Sequence, residues 1–239
     1  MVRKAFFLRL ILMVSVIGII YSTFSIYSYI QEYRVSAKKY DELKTVYDQS
    51  NHNGNEKDPY QELRRLNEDF VGWLTVDGTD IEYPVVLGED NDFYLNHNFY
   101  KEADKVGAIF MDYRNPRNQL DDHTIIYGHN TNDGSMFGSL SNVLESEFSK
   151  DNRITLDFQN KSYEWEIFSA YVTRNPEWMQ VDFESTQDQS LFMRELTKKS
   201  DVNFAKEIKK EDQFLTLATC TSRVRDERVV VHARLIEGE

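Results

Sequence analysis

Between Leu10 and Ile30 the chain runs without a charged residue, LILMVSVIGIIYSTFSIYSYI. A helix needs about 20 mostly apolar residues to cross the hydrocarbon core of a bilayer, and this run is long enough. Arg3, Lys4 and Arg9 precede it, and the first charge after it is Glu32. By the positive-inside rule the N-terminus stays cytoplasmic and residues 31–239 lie outside the cell. Tyr21, Tyr27 and Tyr29 cluster toward the outer end, as an interfacial belt does. A cleaved signal peptide would carry a shorter apolar region ending in a small-residue cleavage site. The length of the run and its tyrosine-rich end favour an uncleaved anchor.

The rest of the chain is acidic. Of 28 basic and 40 acidic residues, the first 30 positions hold Arg3, Lys4 and Arg9 and no acid. A surface of that sign repels phosphate backbones, so nucleic acid is not an expected partner. Nor does it draw the chain to anionic lipid, which leaves residues 10–30 as the means of membrane attachment. A single cysteine, Cys220, excludes an intramolecular disulfide and a paired-cysteine metal knuckle. A lone thiol is either a small buried hydrophobe or a reactive group.

Residues 31–58 are polar. Tyr40, Leu43, Val46 and Tyr47 have helical spacing, and SNHNGNEKD at 50–58 follows without an apolar residue. The segment reads as a stalk between an anchor at 1–30 and a domain at 59–239. Asp58-Pro59 suits a helix start, with Leu63, Leu66 and Phe70 on one stripe. Short strands follow: WLTV, IEYPVV, GAIFMDY (107–113), HTIIYG (123–128), RITLDF (153–158), YEWEIFSAYVT (163–173), FLTLATC (214–220) and RVVVHARLI (228–236). Helices fit 135–144 and 185–200. Many short strands without regular strand–helix alternation predict a mostly β barrel or curled sheet with appended helices.

FLTLATC alternates with period two, so Phe214, Thr216, Ala218 and Cys220 share one face. If this strand and RVVVHARLI form an antiparallel hairpin closed by TSRVRDE, Cys220 and Arg228 stand opposite each other. Directly opposed residues have Cβ atoms about 4.5–5.5 Å apart. A fixed cation beside a thiol favours the nucleophilic thiolate and can stabilise an oxyanion. The hairpin alone equally allows a cross-strand pair in which Arg228 only snorkels, and a bulged loop would bring Arg225 to the thiol instead. Arg234 lies about 20 Å down the strand. Among five histidines, His129 follows the apolar strand TIIY and sits in the turn GHN, where a side chain is presented rather than packed. Imidazole titrates near neutrality and can shuttle a proton, although a histidine at a strand end also serves structure alone. Asp121, Asp122 and His123 cluster without a matching metal motif, and neither a phosphate loop nor a serine elbow is present. No cofactor is expected.

TLATC followed by a short loop and RVVVHARL resembles the cysteine and arginine strands of the sortases, and TIIYGHN resembles their histidine turn. The order His129, Cys220, Arg228 fits. ELRRLNEDFVGWLTVDGTDIEYPVV, YLNHNFY, GAIFMDYRN and the helix at 185–200 are similar to the class B branch. The resemblance implies an eight-stranded β-barrel with peripheral helices, anchored by an N-terminal transmembrane helix in Gram-positive bacteria. It implies Cys220 as nucleophile, His129 as general acid/base, and Arg228 as oxyanion and substrate binder. The implied substrates are surface proteins with a C-terminal sorting signal of the Asn-, Ser- or Pro-Pro-x-Thr type, cut after Thr and joined to a peptidoglycan amine on lipid II or a stem peptide. Substrate-groove residues do not follow from these motifs. Two other readings of the residues are a hydrolytic cysteine protease and a non-catalytic membrane-tethered module. The usual papain order, cysteine before histidine, is reversed here.

Overall fold

The computed structural model describes residues 2–52, 58–204, 208–209, 212–220 and 227–238. Two compact units divide the chain, Met1–Asp41 and Glu42–Glu239. The first is part of helix α1, Val2–His52, which is unbroken. It contains a stretch long and apolar enough to cross a membrane. Within the second unit, the end of α1 packs on the barrel. Leu43 is buried, Tyr47 stacks on Trp73 at 4.2 Å and 5°, and Lys44 pairs with Glu82. From Glu42 on, the segment expected as a stalk therefore shares a unit with the barrel.

Helix α2, Pro59–Leu66, starts as its sequence predicts: Asp58 accepts from the Tyr60 N–H, and Pro59 occupies the first turn. It stops at Asn67, earlier than the Leu/Phe stripe suggested. Asn67 is extended, and its buried amide donates to the Tyr94 hydroxyl (2.9 Å) and the Phe99 carbonyl (2.8 Å). The extended backbone at Asn67 ends the helix, and the two side-chain bonds hold the residue in that position.

Eight strands then close a barrel: β1 Phe70–Val76, β2 Glu82–Val86, β3 Ile109–Met111, β4 His123–Tyr127, β5 Arg153–Phe158, β6 Lys161–Thr173, β7 Phe214–Cys220 and β8 Arg228–Gly238. Their order around it is β1-β2-β3-β4-β7-β8-β6-β5. Closure leaves the barrel without a free edge. The pairs β2–β3 and β4–β7 are parallel, and the other six are antiparallel. β3 reaches only Val85 and Val86 of β2, so Pro84, which has no N–H to give, lies beyond the stretch paired on that side. Gly72 is required where β1 meets β5, since a Cβ there would sit 2.4 Å from the Asp157 carbonyl oxygen. Trp73, Trp165, Phe158, Phe168 and Phe214 are among the largest fully buried side chains.

The peripheral helices are α3, Thr186–Lys198, and short 3-10 turns at Phe93–Leu95, Gly138–Leu144 and Pro176–Met179. The segment expected as a helix over 135–144 is a 3-10 turn from Gly138. Gly138 lies too close to Thr131 for a side chain: a Cβ there would meet the Thr131 carbonyl oxygen at 2.5 Å.

Candidate active site

Four strand ends converge at one place on the barrel. β4 and β7 run parallel and in register up to the rung Tyr127↔Ala218, where the Gly128 N–H donates to the Ala218 carbonyl at 3.3 Å. His129 and Cys220 each stand two residues beyond that rung. Neighbouring strands lie about 4.8 Å apart, so the β4 and β7 chains leave this rung side by side, one toward His129 and the other toward Cys220. On the other side of β7, Cys220 pairs with Arg228, the first residue of β8. Arg228 pairs in turn with Thr173, the last residue of β6. The cross-strand pairing anticipated from alternation is the observed register. Arg223 and Arg225 lie outside the described residues. Arg234 is engaged elsewhere, with Glu166 and, at 3.5 Å, Asp212.

His129 is half-buried and held from several sides. Its Nε2 lies 2.7 Å from the Leu95 carbonyl oxygen. A carbonyl can only accept, so Nε2 carries the hydrogen, and in the neutral ring the lone pair is on Nδ1. The Leu95 carbonyl is fixed through its neighbour Tyr94, a fully buried residue whose hydroxyl donates to Asp69 at 2.8 Å and accepts from Asn67. The Ala108 N–H donates to the Tyr94 carbonyl at 3.0 Å. Gly107, at φ 65°, completes the seat. A Cβ there would stand 2.7 Å from the Tyr94 carbonyl oxygen and 3.0 Å from His129 Cδ2.

Beneath the trio lies a charged pair. Asp112 is fully buried and accepts from Arg114 Nε and a terminal Arg114 nitrogen, both at 2.8 Å, from the Tyr127 hydroxyl at 2.7 Å and from Asn91 at 3.2 Å. Burial pushes the Asp112 carboxyl up, but the bonds from Arg114 and Tyr127 outweigh it and hold it below the usual carboxylate range. Tyr127 is pushed up, by burial first and then by the Asp112 charge, while the Arg114 charge and, less, the Arg228 charge pull it down.

The other histidines whose side chains are described serve elsewhere. His97 stacks on Phe93 at 4.0 Å, and His123 and His232 are fully buried. Leu95, Asp112 and Tyr127 were not recognised as parts of a site in the sequence. A carbonyl has no side-chain signature, and YLNHNFY and MDYRN identify a kind of chain without saying which atoms matter.

A sortase-domain family model matches residues 74–236. The chain is 36% identical to sortase B of Listeria monocytogenes, over 82% of this chain and 83% of that protein. It is 33% identical to sortase B of Staphylococcus aureus, over 98% of each. The crystal structure of sortase B from Bacillus anthracis in complex with AAEK1 superposes with a TM-score of 0.78 at 34% identity, covering 87% of this chain and 99% of that one. The Staphylococcus aureus sortase B–substrate complex superposes at 0.79 and 33% identity, with the same coverage.

Proposed function

Because this chain belongs to the sortase B family of cysteine transpeptidases, we propose that it cuts a C-terminal sorting signal of the Asn-, Ser- or Pro-Pro-x-Thr type after Thr and transfers the protein to a peptidoglycan amine. The observation that carries this reading is the register. One rung pairs Cys220 with Arg228, and the parallel β4–β7 register up to Tyr127↔Ala218 supports His129 as their neighbour.

In this mechanism the Cys220 thiolate attacks the Thr carbonyl carbon. Negative charge develops on the carbonyl oxygen, where the Arg228 guanidinium offsets it. The C–N bond breaks as protonated His129 gives its Nδ1 proton to the leaving amine, and a thioester to Cys220 remains. An amine of lipid II or a stem peptide then attacks the thioester. His129 takes the proton released by that amine, the C–S bond breaks, and the thiolate returns. The Leu95 carbonyl matters in both halves, since holding Nε2–H aims the other ring nitrogen at the reaction.

The same reading extends to the whole chain. Residues 1–30 form a cytoplasmic tip and an anchor spanning the membrane through residues 10–30. Residues 31–58 connect anchor and domain, their part from Glu42 on packing with the barrel, and residues 59–239 form the catalytic domain on the outer face of the membrane. The apolar stretch of α1 supports it by length and composition.

The test uses peptides bearing each of the three signal types, with and without an added amine such as triglycine. Wild type releases the segment after Thr and joins the rest to the amine, and Cys220→Ala does neither. Full activity in Cys220→Ala would overturn the assignment. Product ratios indifferent to added amine would make the enzyme a hydrolase.

A further inference from the structure

A hydrogen-bonded chain of buried side chains crosses the barrel wall behind the site, and the mechanism does not use it. It starts at the carbonyl of Gln180, 2.5 Å from His123 Nδ1. His123 Nε2 lies 2.6 Å from Thr216 Oγ1, which lies 2.7 Å from His232 Nδ1. His232 Nε2 is 3.0 Å from the Tyr171 hydroxyl. His123, Thr216 and His232 are fully buried, and Tyr171 nearly so.

The carbonyl at one end assigns every proton. It can only accept, so His123 carries hydrogen on Nδ1 and accepts on Nε2. Thr216 therefore donates to His123 and accepts from Nδ1–H of His232. His232 Nε2 is then an acceptor, and Tyr171 donates to it. Both imidazoles are neutral and both ring nitrogens of each are matched. Burial favours that state: it holds His123 down at about 3 and His232 well below its ordinary value. Aromatic rings enclose the chain, with Phe214 stacked on His123 at 3.9 Å and Phe168 on His232 at 5.9 Å.

The placement of these residues gives the chain its meaning. His123 is on β4, Thr216 on β7, His232 on β8 and Tyr171 on β6, the four adjacent strands that lead to His129, Cys220, Arg228 and Thr173. Gln180 belongs to none of them. It lies in the connection from β6 to α3, directly after the turn Pro176–Met179. Trp178 of that turn is buried, with its ring 6.3 Å from Tyr127 at 60°. The turn therefore lies along β4 at the rung preceding the trio.

We propose that Tyr171, His232, Thr216 and His123 are positioning residues that fix the Pro176–Val181 segment to the strands carrying the catalytic trio, and so hold one wall of the substrate site. The proposal rests on the transpeptidase reading for its kinetic consequence only. Thr216→Val keeps the shape and removes both the donor and the acceptor at the centre of the chain, leaving two buried ring nitrogens unmatched. Thr216→Ser restores the hydroxyl.

The experiment is done on the full chain in detergent. It measures amide hydrogen exchange and steady-state kinetics with a sorting peptide. In Thr216→Val, exchange over residues 176–181 accelerates roughly tenfold relative to the β1–β5 pair. KM for the peptide rises about fivefold while kcat changes less than about twofold. Thr216→Ser behaves as wild type in both. A folded Thr216→Val with wild-type exchange at 176–181, or with wild-type KM, overturns the proposal. So does a uniform acceleration over the whole barrel. If Thr216→Val does not fold, Tyr171→Phe removes only the terminal donor, and the same outcomes decide. Exchange needs no turnover, so an inactive wild type would count against the functional reading while leaving the tether to be judged by exchange.

Discussion

The buried histidines make a quantitative statement about acid. In the unfolded chain a histidine titrates near 6.5. In the folded protein His123 is held down at about 3 and His232 well below its ordinary value, in both cases because burial disfavours the charged ring. Each is a base whose folded affinity for protons is depressed. Above pH 6.5 both states are neutral and stability is unaffected. Below it the unfolded state takes up protons that the folded state refuses, and stability falls until the folded value is reached. The slope is about 1.4 kcal/mol per pH unit for each such group. From pH 7 to pH 5 the two together cost about 4 kcal/mol, a large share of a typical 5–15 kcal/mol. Asp112 and Asp69, both held below the usual carboxylate range, add losses only when pH falls below about 4, so they do not confuse this window. The assay is urea unfolding of the full chain in detergent at half-unit steps, with the double variant His123→Asn/His232→Asn as control. The variant is less stable at pH 7, but its stability falls less steeply between pH 6.5 and 5. Equal slopes in the two proteins would refute the argument that these rings are buried neutral.

Two further perturbations act nearer the chemistry. Gly107→Ala places a Cβ against the Tyr94 and Leu95 carbonyl oxygens and the His129 ring at a positive φ, which costs about 1–3 kcal/mol of backbone strain. Denaturant unfolding reads the stability, and peptide turnover should fall beyond what the loss of folded protein explains. Arg228→Ala should lower kcat by about 100- to 1000-fold, the usual effect of losing an oxyanion donor. Arg228→Lys restores only part, because a point charge does not reproduce the guanidinium fork. An unchanged kcat in Arg228→Ala would remove Arg228 from the mechanism.

Some of this architecture was legible in the sequence and some was not, for definite reasons. The eight strands were visible because their alternation and flanking turns are local. The Cys220–Arg228 pairing was visible because a hairpin is local too, and its register follows from where two alternating runs meet a loop. His129 could only be nominated. Its position depends on a parallel pairing of strands 91 positions apart, and parallel strands carry no short turn from which register can be read. The helical spacing of Tyr40, Leu43, Val46 and Tyr47 was legible, but not what their stripe packs on. The segment read as a stalk, whereas from Glu42 on the helix gains from tertiary contacts such as Tyr47 on Trp73.

That parallel pairing is also where the site is most exposed to error. Sliding β4 by one residue against β7 would turn every β4 side chain to the opposite face and shift the turn that carries His129. A hairpin turn would prevent such a slip, but none joins these strands. The barrel supplies the restraint by other means. At the lower end the Phe214 N–H donates to the Asp122 carbonyl at 3.0 Å, and the His123 ring stacks on Phe214. Two rungs up, Thr216 accepts from His232 and donates to His123, a bond pair that a shifted register could not form. At the upper end the buried Asp112 takes the Tyr127 hydroxyl, which fixes β4 from its other neighbour. A polar chain in an apolar wall is costly to break, and it tolerates a single alignment. The buried histidines are thus explicable as the register marks of the strands that present His129 and Cys220, which is why their effect should be read in exchange and KM rather than in the chemical step.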